Sequence, residues 1–256
     1  CCSKAASATT CEMSCAACAW VADRQARGRA GDGARIEAAA SGDGDQTSVK
    51  RYSAKQVERT LAKYETEEVE VPVGDDLHLR MVETADAYAL LDSLIEREAG
   101  GARITRFPYW AEIWPAALAL ARWFAQAEAP APDVARELGC GIGVVGIALA
   151  RMGWQVEATD YVEDALVFAT HNARRNGVGG RHQVSYLDWS HPVGRPVRTL
   201  VGSDVAYEKT LHPYLQRTVR ALLEPGGQLI LSDPGRPAAQ PLFASLEGSG
   251  FAHRKH

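Results

Sequence analysis

Hydrophobic residues in the second half of the chain follow the two periods expected of alternating strands and helices. Residues 134–138, 155–159 and 228–232 form short apolar or alternating runs of strand length. Residues 147–152 and 240–247 carry helical patterns instead. Strands that alternate with helices in this way favour a parallel sheet covered by helices. The pattern therefore predicts an α/β domain with a mostly parallel sheet.

The segment that precedes this domain predicts a helix, a hairpin and a second helix. Residues 50–63 carry the pattern of a short amphipathic helix. Two alternating runs within residues 66–82 flank the turn Gly74-Asp75-Asp76, which is typical of a β-hairpin. Residues 84–98 predict an amphipathic helix, and Thr84 is the candidate N-cap.

The first 47 residues differ in composition from the rest of the chain. They are rich in Ala, Gly, Ser and Asp and poor in Leu, Ile and Phe, which is typical of disorder. We therefore interpret residues 1–47 as a disordered or non-native extension. Their apolar stretch has no Leu-rich centre, which argues against a secretory signal, whereas their arginines leave organellar targeting open. Apart from that alternative, we expect a cytoplasmic protein.

Composition and charge limit the partners that the chain can have. With 256 residues, of which 46% are hydrophobic, the chain can bury one good core. The net charge of -4 argues against nucleic acid, because phosphate contacts need a basic face. No run of 18 apolar residues occurs, so no membrane partner is expected. We expect a monomer, and the scattered histidines predict no metal site.

A glycine-rich turn stands between the first strand and the first helix of the α/β domain. It lies within the sequence Glu137-Leu-Gly-Cys-Gly-Ile-Gly-Val-Val-Gly146. Glycines let the backbone approach a ligand closely, and the helix N-terminus adds a positive dipole end. Asp160 follows about 20 residues later at the end of the next strand, where a carboxylate accepts hydrogen bonds from ribose hydroxyls. Together these features predict a nucleotide-type cofactor.

The glycines by themselves leave two kinds of cofactor open. Read from Gly141 through Gly143 and Gly146, they fit the dinucleotide pattern Gly-x-Gly-x-x-Gly. Glu137 decides against it, because a carboxylate there repels a pyrophosphate but not an ammonium or a sulfonium. The pattern Glu-x-Gly-x-Gly-x-Gly resembles motif I of the class I S-adenosylmethionine methyltransferases. That resemblance implies a Rossmann-like three-layer sandwich in which Glu137, Gly139, Gly141 and Gly143 bind S-adenosylmethionine.

Three further segments resemble the protein lysine methyltransferases of this class and their relatives once called nicotinamide methylases. Residues 107–117, Phe-Pro-Tyr-Trp-Ala-Glu-Ile-Trp-Pro-Ala-Ala, are similar to the segment that leads into their sheet domain. Leu187-Asp188-Trp189 is similar to their adenine clamp, and Asp204-Val-Ala-Tyr207 matches their Asp-x-x-Tyr motif after strand four. We therefore assign residues 107–256 to a methyltransferase domain, preceded by residues 48–106.

The resemblance also implies roles for individual side chains. The cofactor contacts that it adds are Trp114, Asp160, Tyr161, Asp188 and Trp189. Asp204 is expected to orient the incoming amine and to pair with it first, while Tyr207 lines the substrate channel. Both are treated as catalytic residues.

The resemblance predicts N-methyl transfer, and the acceptor that it favours is a lysine side chain of a protein. Two alternatives stay open at this point. One is a methyltransferase for a small-molecule amine or a pyridine nitrogen, and the other is an inactive module that binds the cofactor and a partner.

The far end of the sheet poses a separate question. The resembled family has seven strands in the order 3-2-1-4-5-7-6, with the last strand antiparallel. After strand five and the helix at 240–247, residues 251–256 can supply only the start of strand six. We therefore expect a C-terminally truncated domain that lacks the last strand and exposes a sheet edge.

Overall fold

Ten strands and six α-helices make up the part of the chain that the computed structural model describes, namely residues 18–24, 49–86, 90, 108–126 and 129–255. The strands are β1 (Cys18–Arg24), β2 (Val49–Lys50), β3 (Thr66–Pro72), β4 (His78–Thr84), β5 (Val134–Leu138), β6 (Gln155–Asp160), β7 (His182–Tyr186), β8 (Val197–Ser203), β9 (Leu223–Asp233) and β10 (Phe251–Lys255). The helices are α1 (Ala54–Leu61), α2 (Pro115–Phe124), α3 (Val144–Arg151), α4 (Glu163–Arg175), α5 (His212–Leu222) and α6 (Gln240–Glu247). Short 3-10 helices lie at Tyr109–Ala111 and Lys209–Leu211.

Eight of these strands form one sheet in the order β10-β1-β9-β8-β5-β6-β7-β2. Strands β5 to β9 run parallel to their neighbours within that group, which confirms the predicted α/β fold with a mostly parallel sheet. The chain builds outward from β5 through β6 to β7 and then returns to place β8 on the other side of β5. This reversal creates a switch point between β5 and β8, where open α/β sheets bind their ligands.

Helices cover the two faces of the sheet with separate hydrophobic cores. Helices α2, α3 and α4 contribute Leu120, Ile147 and Phe168 to one core, whereas α5 and α6 supply the helical residues of the other. Successive residues of β9 divide between the cores, because Ile230 faces the first and Leu231 the second. Burial on both faces explains why the parallel strands are apolar almost throughout. None of the described helices has the length and apolar composition that crossing a bilayer requires.

The predicted hairpin is confirmed as β3 and β4, and it is held against α4 by two asparagines one helical turn apart. Asn172 accepts a hydrogen bond from the Val82 N–H (2.8 Å) and donates to the Val82 carbonyl (3.1 Å). Asn176 likewise accepts a hydrogen bond from the Arg80 N–H (2.9 Å) and donates to the Arg80 carbonyl (2.8 Å). The two amides therefore satisfy the backbone of β4 as a neighbouring strand would.

The two helices predicted around the hairpin have different outcomes. The first is confirmed as α1, which starts with a capping box between Ser53 and Gln56. The second falls largely outside the described residues. Thr84, predicted as its N-cap, is instead the last residue of β4, and its hydroxyl donates to the Ala111 carbonyl over 3.2 Å. The N-cap assignment is therefore wrong, because the strand pairing extends two residues further than the alternating pattern indicated.

The most unexpected strand is β1, which comes from the start of the chain and lies between β9 and β10. It runs antiparallel to both, with Trp20 opposite Leu231 on one side and Lys255 on the other. This is the position of the last strand in the order 3-2-1-4-5-7-6, so the expectation that the sheet lacks that strand is wrong. The expectation of a disordered extension at 1–47 is also wrong for residues 18–24, while residues 1–17 and 25–47 lie outside the described residues.

Burial and hydrogen bonds explain why β1 can occupy this position. Val21 and Ala22 are 2% and 0% exposed and face opposite cores. The Asp23 carboxylate accepts a hydrogen bond from the Gln228 side chain over 2.9 Å, and the Arg24 guanidinium donates to the Leu223 carbonyl. A segment from the start of the chain therefore occupies the position between β9 and β10.

Replacing Val21 with Asp tests this arrangement, because it puts a carboxylate into the core. We expect the free energy of unfolding to fall by roughly 2–5 kcal/mol. Urea denaturation measures the change, and Ala54→Asp, at an exposed position of α1, is the matched control. A Val21→Asp protein as stable as the control would show that β1 does not lie in the sheet.

Candidate cofactor and acceptor site

The predicted site residues gather at the carboxyl ends of the four central strands. The glycine turn follows β5, Asp160 ends β6, Asp188 follows β7 and Asp204 follows β8. Since the carboxyl ends of parallel strands meet at the same edge, the fold brings these segments to the switch point.

The glycine turn has a backbone that other residues rarely adopt. Gly139, Gly141 and Gly143 have φ angles of +67°, +51° and +96°, in the left-handed region. A Cβ on Gly141 would also lie 3.1 Å from the Trp110 carbonyl oxygen. Gly141 is therefore required by the close approach of the Trp110 backbone, and helix α3 begins directly after Gly143.

Asp160 braces this turn from the end of the neighbouring strand. Its Oδ2 accepts a hydrogen bond from the Gly141 N–H (3.0 Å), and its Oδ1 accepts one from the Val162 N–H (2.9 Å). The residue is buried, and Tyr161 beside it is half-buried. Asp160 therefore connects the glycine turn to the start of α4, and the predicted ribose contact would use the same carboxylate.

Glu137 lies inside the protein beneath the turn. It is 1% exposed, and its Oε2 accepts a hydrogen bond from the Gly146 N–H in the first turn of α3 (3.0 Å). Burial raises the pKa of Glu137 to about 8, and burial lowers the pKa of the neighbouring His182 to about 4. Burial thus favours the uncharged form of both side chains. The contact by which Glu137 supports the turn is its hydrogen bond from the Gly146 N–H.

Asp188 and Trp189 form the side of the site nearest β7. The Asp188 Oδ1 accepts hydrogen bonds from the Ser190 N–H (2.8 Å) and hydroxyl (2.7 Å), which closes a local turn. The Trp189 ring lies above the glycine turn, 3.7 Å from where a Cβ on Gly139 would be. The Trp189 carbonyl accepts a hydrogen bond from Thr218 of α5 over 3.4 Å. A flat aromatic ring is therefore held against the turn, at the predicted adenine clamp.

Three aromatic side chains, which we call the aromatic rim, stand on the opposite side. The Tyr109 ring meets the rings of Trp114 and Tyr207 edge to face, with centroids 6.1 and 5.3 Å away. The Trp114 Nε1 donates a hydrogen bond to the Tyr109 carbonyl over 2.6 Å. Burial raises the pKa of Tyr207 above its ordinary range, so its hydroxyl keeps its proton. Trp110 instead packs into the core against Phe168.

The sequence reasoning missed Tyr109, although it lies within the 107–117 segment. It is 45% exposed and belongs to the same 3-10 helix as Trp110. Its position beside Tyr207 depends on a contact between segments almost 100 residues apart. The signal that could have found it is the aromatic run Tyr109-Trp110 before Trp114.

Asp204 has the one left-handed non-glycine backbone among the described residues, with φ +50°. Its N–H donates to the Ser232 carbonyl over 2.8 Å. Its carboxylate is paired with Arg236, whose Nε and Nη2 donate to Oδ1 and Oδ2 over 2.8 and 2.6 Å. Arg236 is the second residue that the sequence reasoning missed. The sequence feature that could have indicated it is Asp-Pro-Gly-Arg at the end of β9, because a turn with Pro and Gly holds the residue that follows in a fixed place.

Neither the cysteine of the glycine turn nor a cluster of metal ligands adds chemistry to the described part of the site. The Cys140 thiol is buried within the glycine turn, and burial raises its pKa, which agrees with a packing role. Across the described ranges, no three His, Cys, Asp or Glu side chains are gathered closely enough to hold a metal ion.

The site and the sheet order define a class I methyltransferase fold of the kind that binds S-adenosylmethionine. The model of the lysine methyltransferase family matches residues 108–246, which is more than half of the chain. The chain therefore belongs to the lysine methyltransferase family, whose methyl donor is S-adenosylmethionine.

Individual relatives are similar to part of the chain. EEF1A lysine methyltransferase 3 of Mus musculus is 33% identical over 146 residues, which cover 53% of this chain and 61% of the relative. Protein N-lysine methyltransferase METTL21A of Danio rerio is 36% identical, covering 38% and 47%. Ribosomal protein L11 methyltransferase of Thermus thermophilus is 33% identical, covering 46% and 45%. The chain thus spans less than two thirds of the length of each of these relatives.

Replacing Asp160 with Ala removes the brace of the glycine turn and the predicted ribose contact together. We expect S-adenosylhomocysteine to bind about 100-fold more weakly, since two charge-assisted hydrogen bonds to the backbone and those to the ribose are lost. Isothermal titration calorimetry measures the affinity. Asp133→Asn, at an exposed position before β5, is the control. Unchanged affinity in Asp160→Ala would place the cofactor elsewhere.

Replacing Glu137 with Gln keeps an acceptor for the Gly146 N–H but removes the ability of residue 137 to ionise. The folded-state pKa of about 8 lies above the ordinary value of 4.5, so wild-type stability falls as pH rises from about 4.5 to 8. Gln does not ionise, and the stability of Glu137→Gln relative to wild type should therefore rise across that window. Urea denaturation at pH 5, 6, 7 and 8 measures this difference. Cofactor affinity at pH 7 should change less than about threefold, whereas a large loss would mean that a charge at Glu137 contacts the cofactor.

Proposed function

We propose that this chain transfers a methyl group from S-adenosylmethionine to the side-chain nitrogen of a lysine in a protein. The observation that carries the proposal is the placement of Asp204 and Tyr207. They follow β8 at the switch point, beside the glycine turn that follows β5. Family membership supports the lysine acceptor, as does similarity to two relatives, EEF1A lysine methyltransferase 3 and protein N-lysine methyltransferase METTL21A.

The cofactor fits the residues that surround the glycine turn. The left-handed backbone at Gly139 and Gly141 leaves space for a close approach, and Asp160 stands at the adjacent strand end. Trp189 offers a ring face beside Gly139, whereas Trp114, predicted as a cofactor contact, packs beside Tyr109 and Arg236. When bound, S-adenosylmethionine supplies an electrophilic methyl group on a positively charged sulfur.

The chain itself must provide a neutral amine and keep it in place. A lysine with an ordinary pKa of about 10.4 loses its proton near pH 7 at a cost of roughly 4–5 kcal/mol. In this proposal Asp204 receives the ammonium and directs it before the proton leaves. Tyr207 keeps its hydroxyl proton and can hydrogen-bond along the channel. The Tyr109 ring packs edge to face against Tyr207 and so limits the positions that the Tyr207 side chain can take.

The open side of the aromatic rim favours a protein acceptor over a small molecule. Tyr109 is 45% exposed and forms the outer member of the rim. A lysine side chain is long and thin, so it can reach past an exposed ring while its backbone stays outside the fold. An acceptor presented on a protein surface therefore fits this geometry.

Replacing Asp204 with Asn tests the proposal. We expect methyl transfer to fall by about 100-fold or more, because the group that receives the amine loses its charge. The affinity for S-adenosylhomocysteine should change less than about twofold, since Asp204 lies on the acceptor side. The assay measures radiolabelled methyl groups that pass from S-adenosylmethionine into a whole-cell protein extract, with Asp133→Asn as the matched control.

Each other outcome of this assay points to a named alternative. Label in small molecules instead of protein bands would favour a small amine or pyridine acceptor. Cofactor binding without label anywhere would favour an inactive binding module. If Asp204→Asn loses cofactor affinity, Asp204 belongs to the cofactor site instead of the acceptor site.

A further inference from the structure

Arg236 holds both oxygens of Asp204, the residue placed to receive the acceptor. The guanidinium donates in a parallel fork, over 2.8 and 2.6 Å. The Asp204 side chain is 7% exposed and that of Arg236 is 37% exposed, so the pair spans the boundary between the interior and the opening. Fork-shaped pairs of this kind fix the plane of the carboxylate as well as its charge.

The turn after β9 holds Arg236 in position. The Asp233 Oδ1 accepts hydrogen bonds from the Gly235 N–H (2.8 Å) and the Arg236 N–H (2.7 Å). Gly235 has φ +82°, in the left-handed region that favours glycine. The guanidinium carbon lies 6.0 Å from the centre of the Trp114 ring, in cation–π range. The Arg236 backbone is therefore fixed, and its side chain packs against the aromatic rim.

A carboxylate without this partner would oppose the reaction that it is placed to assist. An ammonium beside an uncompensated carboxylate keeps its proton more tightly, because the opposite charge favours the charged form. Methyl transfer needs the neutral amine. A nearby guanidinium offsets the charge of Asp204 and reduces this penalty.

The fork also leaves Asp204 able to receive a donor. A carboxylate has about four lone-pair sites, and the guanidinium uses two of them. In the described part of the chain, no further hydrogen bond to the Asp204 oxygens occurs. The strained backbone of Asp204 and the fork together restrict the carboxylate to one orientation.

We propose that Arg236 is the positioning residue of the acceptor site: it fixes the Asp204 carboxylate and offsets its charge, so that an incoming amine is directed without being held as an ammonium. This inference rests on the proposed function, because it concerns how the lysine acceptor of that function is oriented and kept able to lose its proton. It also assigns a role to the Asp-Pro-Gly-Arg turn, which lies outside the four motifs of the sequence.

Other ionisable groups act on the same region. Asp233 interacts electrostatically with both Asp204 and Arg236. Glu208 and Asp160 lie near Tyr207 and are further acidic groups of this region. The acidic members of this group outnumber the single guanidinium, so removing Arg236 leaves a clearly negative site.

The first arm of the test measures binding and needs no turnover. n-Butylammonium serves as a lysine side-chain probe and is titrated by NMR into the chain loaded with S-adenosylhomocysteine. We expect Arg236→Gln to bind the probe about tenfold more tightly than wild type, because the negative charge is no longer offset. The double variant Asp204→Asn, Arg236→Gln should lose that gain. Arg236→Lys should bind like wild type, since the charge is kept.

The second arm measures the pH dependence of methyl transfer into the protein band labelled by wild type. Arg236→Gln should move the rising limb of the profile upward by about one pH unit, because the acceptor amine keeps its proton longer. Arg236→Lys should keep the position of the limb while its maximal rate falls, since a lysine cannot form the fork. Arg217→Gln, which removes an exposed arginine from α5, is the matched control.

These two arms separate the inference from the function on which it rests. Equal probe affinity in wild type and Arg236→Gln would overturn the inference, as would a rate that falls equally at every pH. If Arg236→Gln does not fold, the pH profiles of Arg236→Lys and wild type are compared instead. An unchanged rising limb with a lower maximal rate supports the fork, and an unchanged maximal rate indicates a merely structural contact. If wild type labels no protein, the proposed function fails, and the binding arm still reports whether Arg236 offsets Asp204.

Discussion

The backbone between β5 and α3 is the constraint on which the rest of the site depends. Three glycines in five residues adopt left-handed angles, and neighbouring elements fix the shape that results. Asp160 holds the outer side of the turn through the Gly141 N–H, and Glu137 holds the inner side through the Gly146 N–H. A ligand can therefore approach a backbone that is already in place, which lowers the ordering cost of binding.

Asn172 connects this turn to the rest of the molecule. Its side-chain amide donates to the Ile142 carbonyl over 3.0 Å while it also bonds the backbone of Val82 in β4. One fully buried amide thus joins the hairpin, α4 and the glycine turn. Since a buried amide that loses a partner is costly, the hairpin and the cofactor turn are expected to be ordered together.

The proposed acceptor side is organised differently, by charges and rings at the strand ends. Asp204 and Arg236 come from the ends of β8 and β9, and the aromatic rim comes from the segment before α2 and the loop after β8. On the cofactor side the glycine turn presents backbone, and Asp160, Asp188 and Trp189 add side chains around it. The acceptor side is made of side chains, which is where members of one family can differ in what they methylate.

Much of this protein could be predicted from the sequence by itself. The parallel strands, the helices after them, the glycine turn and the placement of Asp160 at a strand end follow from local periodicity and local backbone requirements, whereas Asp204 was found through its resemblance to the Asp-x-x-Tyr motif. The tertiary structure alone decided that residues 18–24 fill the last-strand position, that Glu137 is buried beneath α3, and that Arg236 pairs with Asp204. These three features depend on contacts between segments far apart in the chain, and a local pattern carries no information about which distant partner a side chain or a strand will meet.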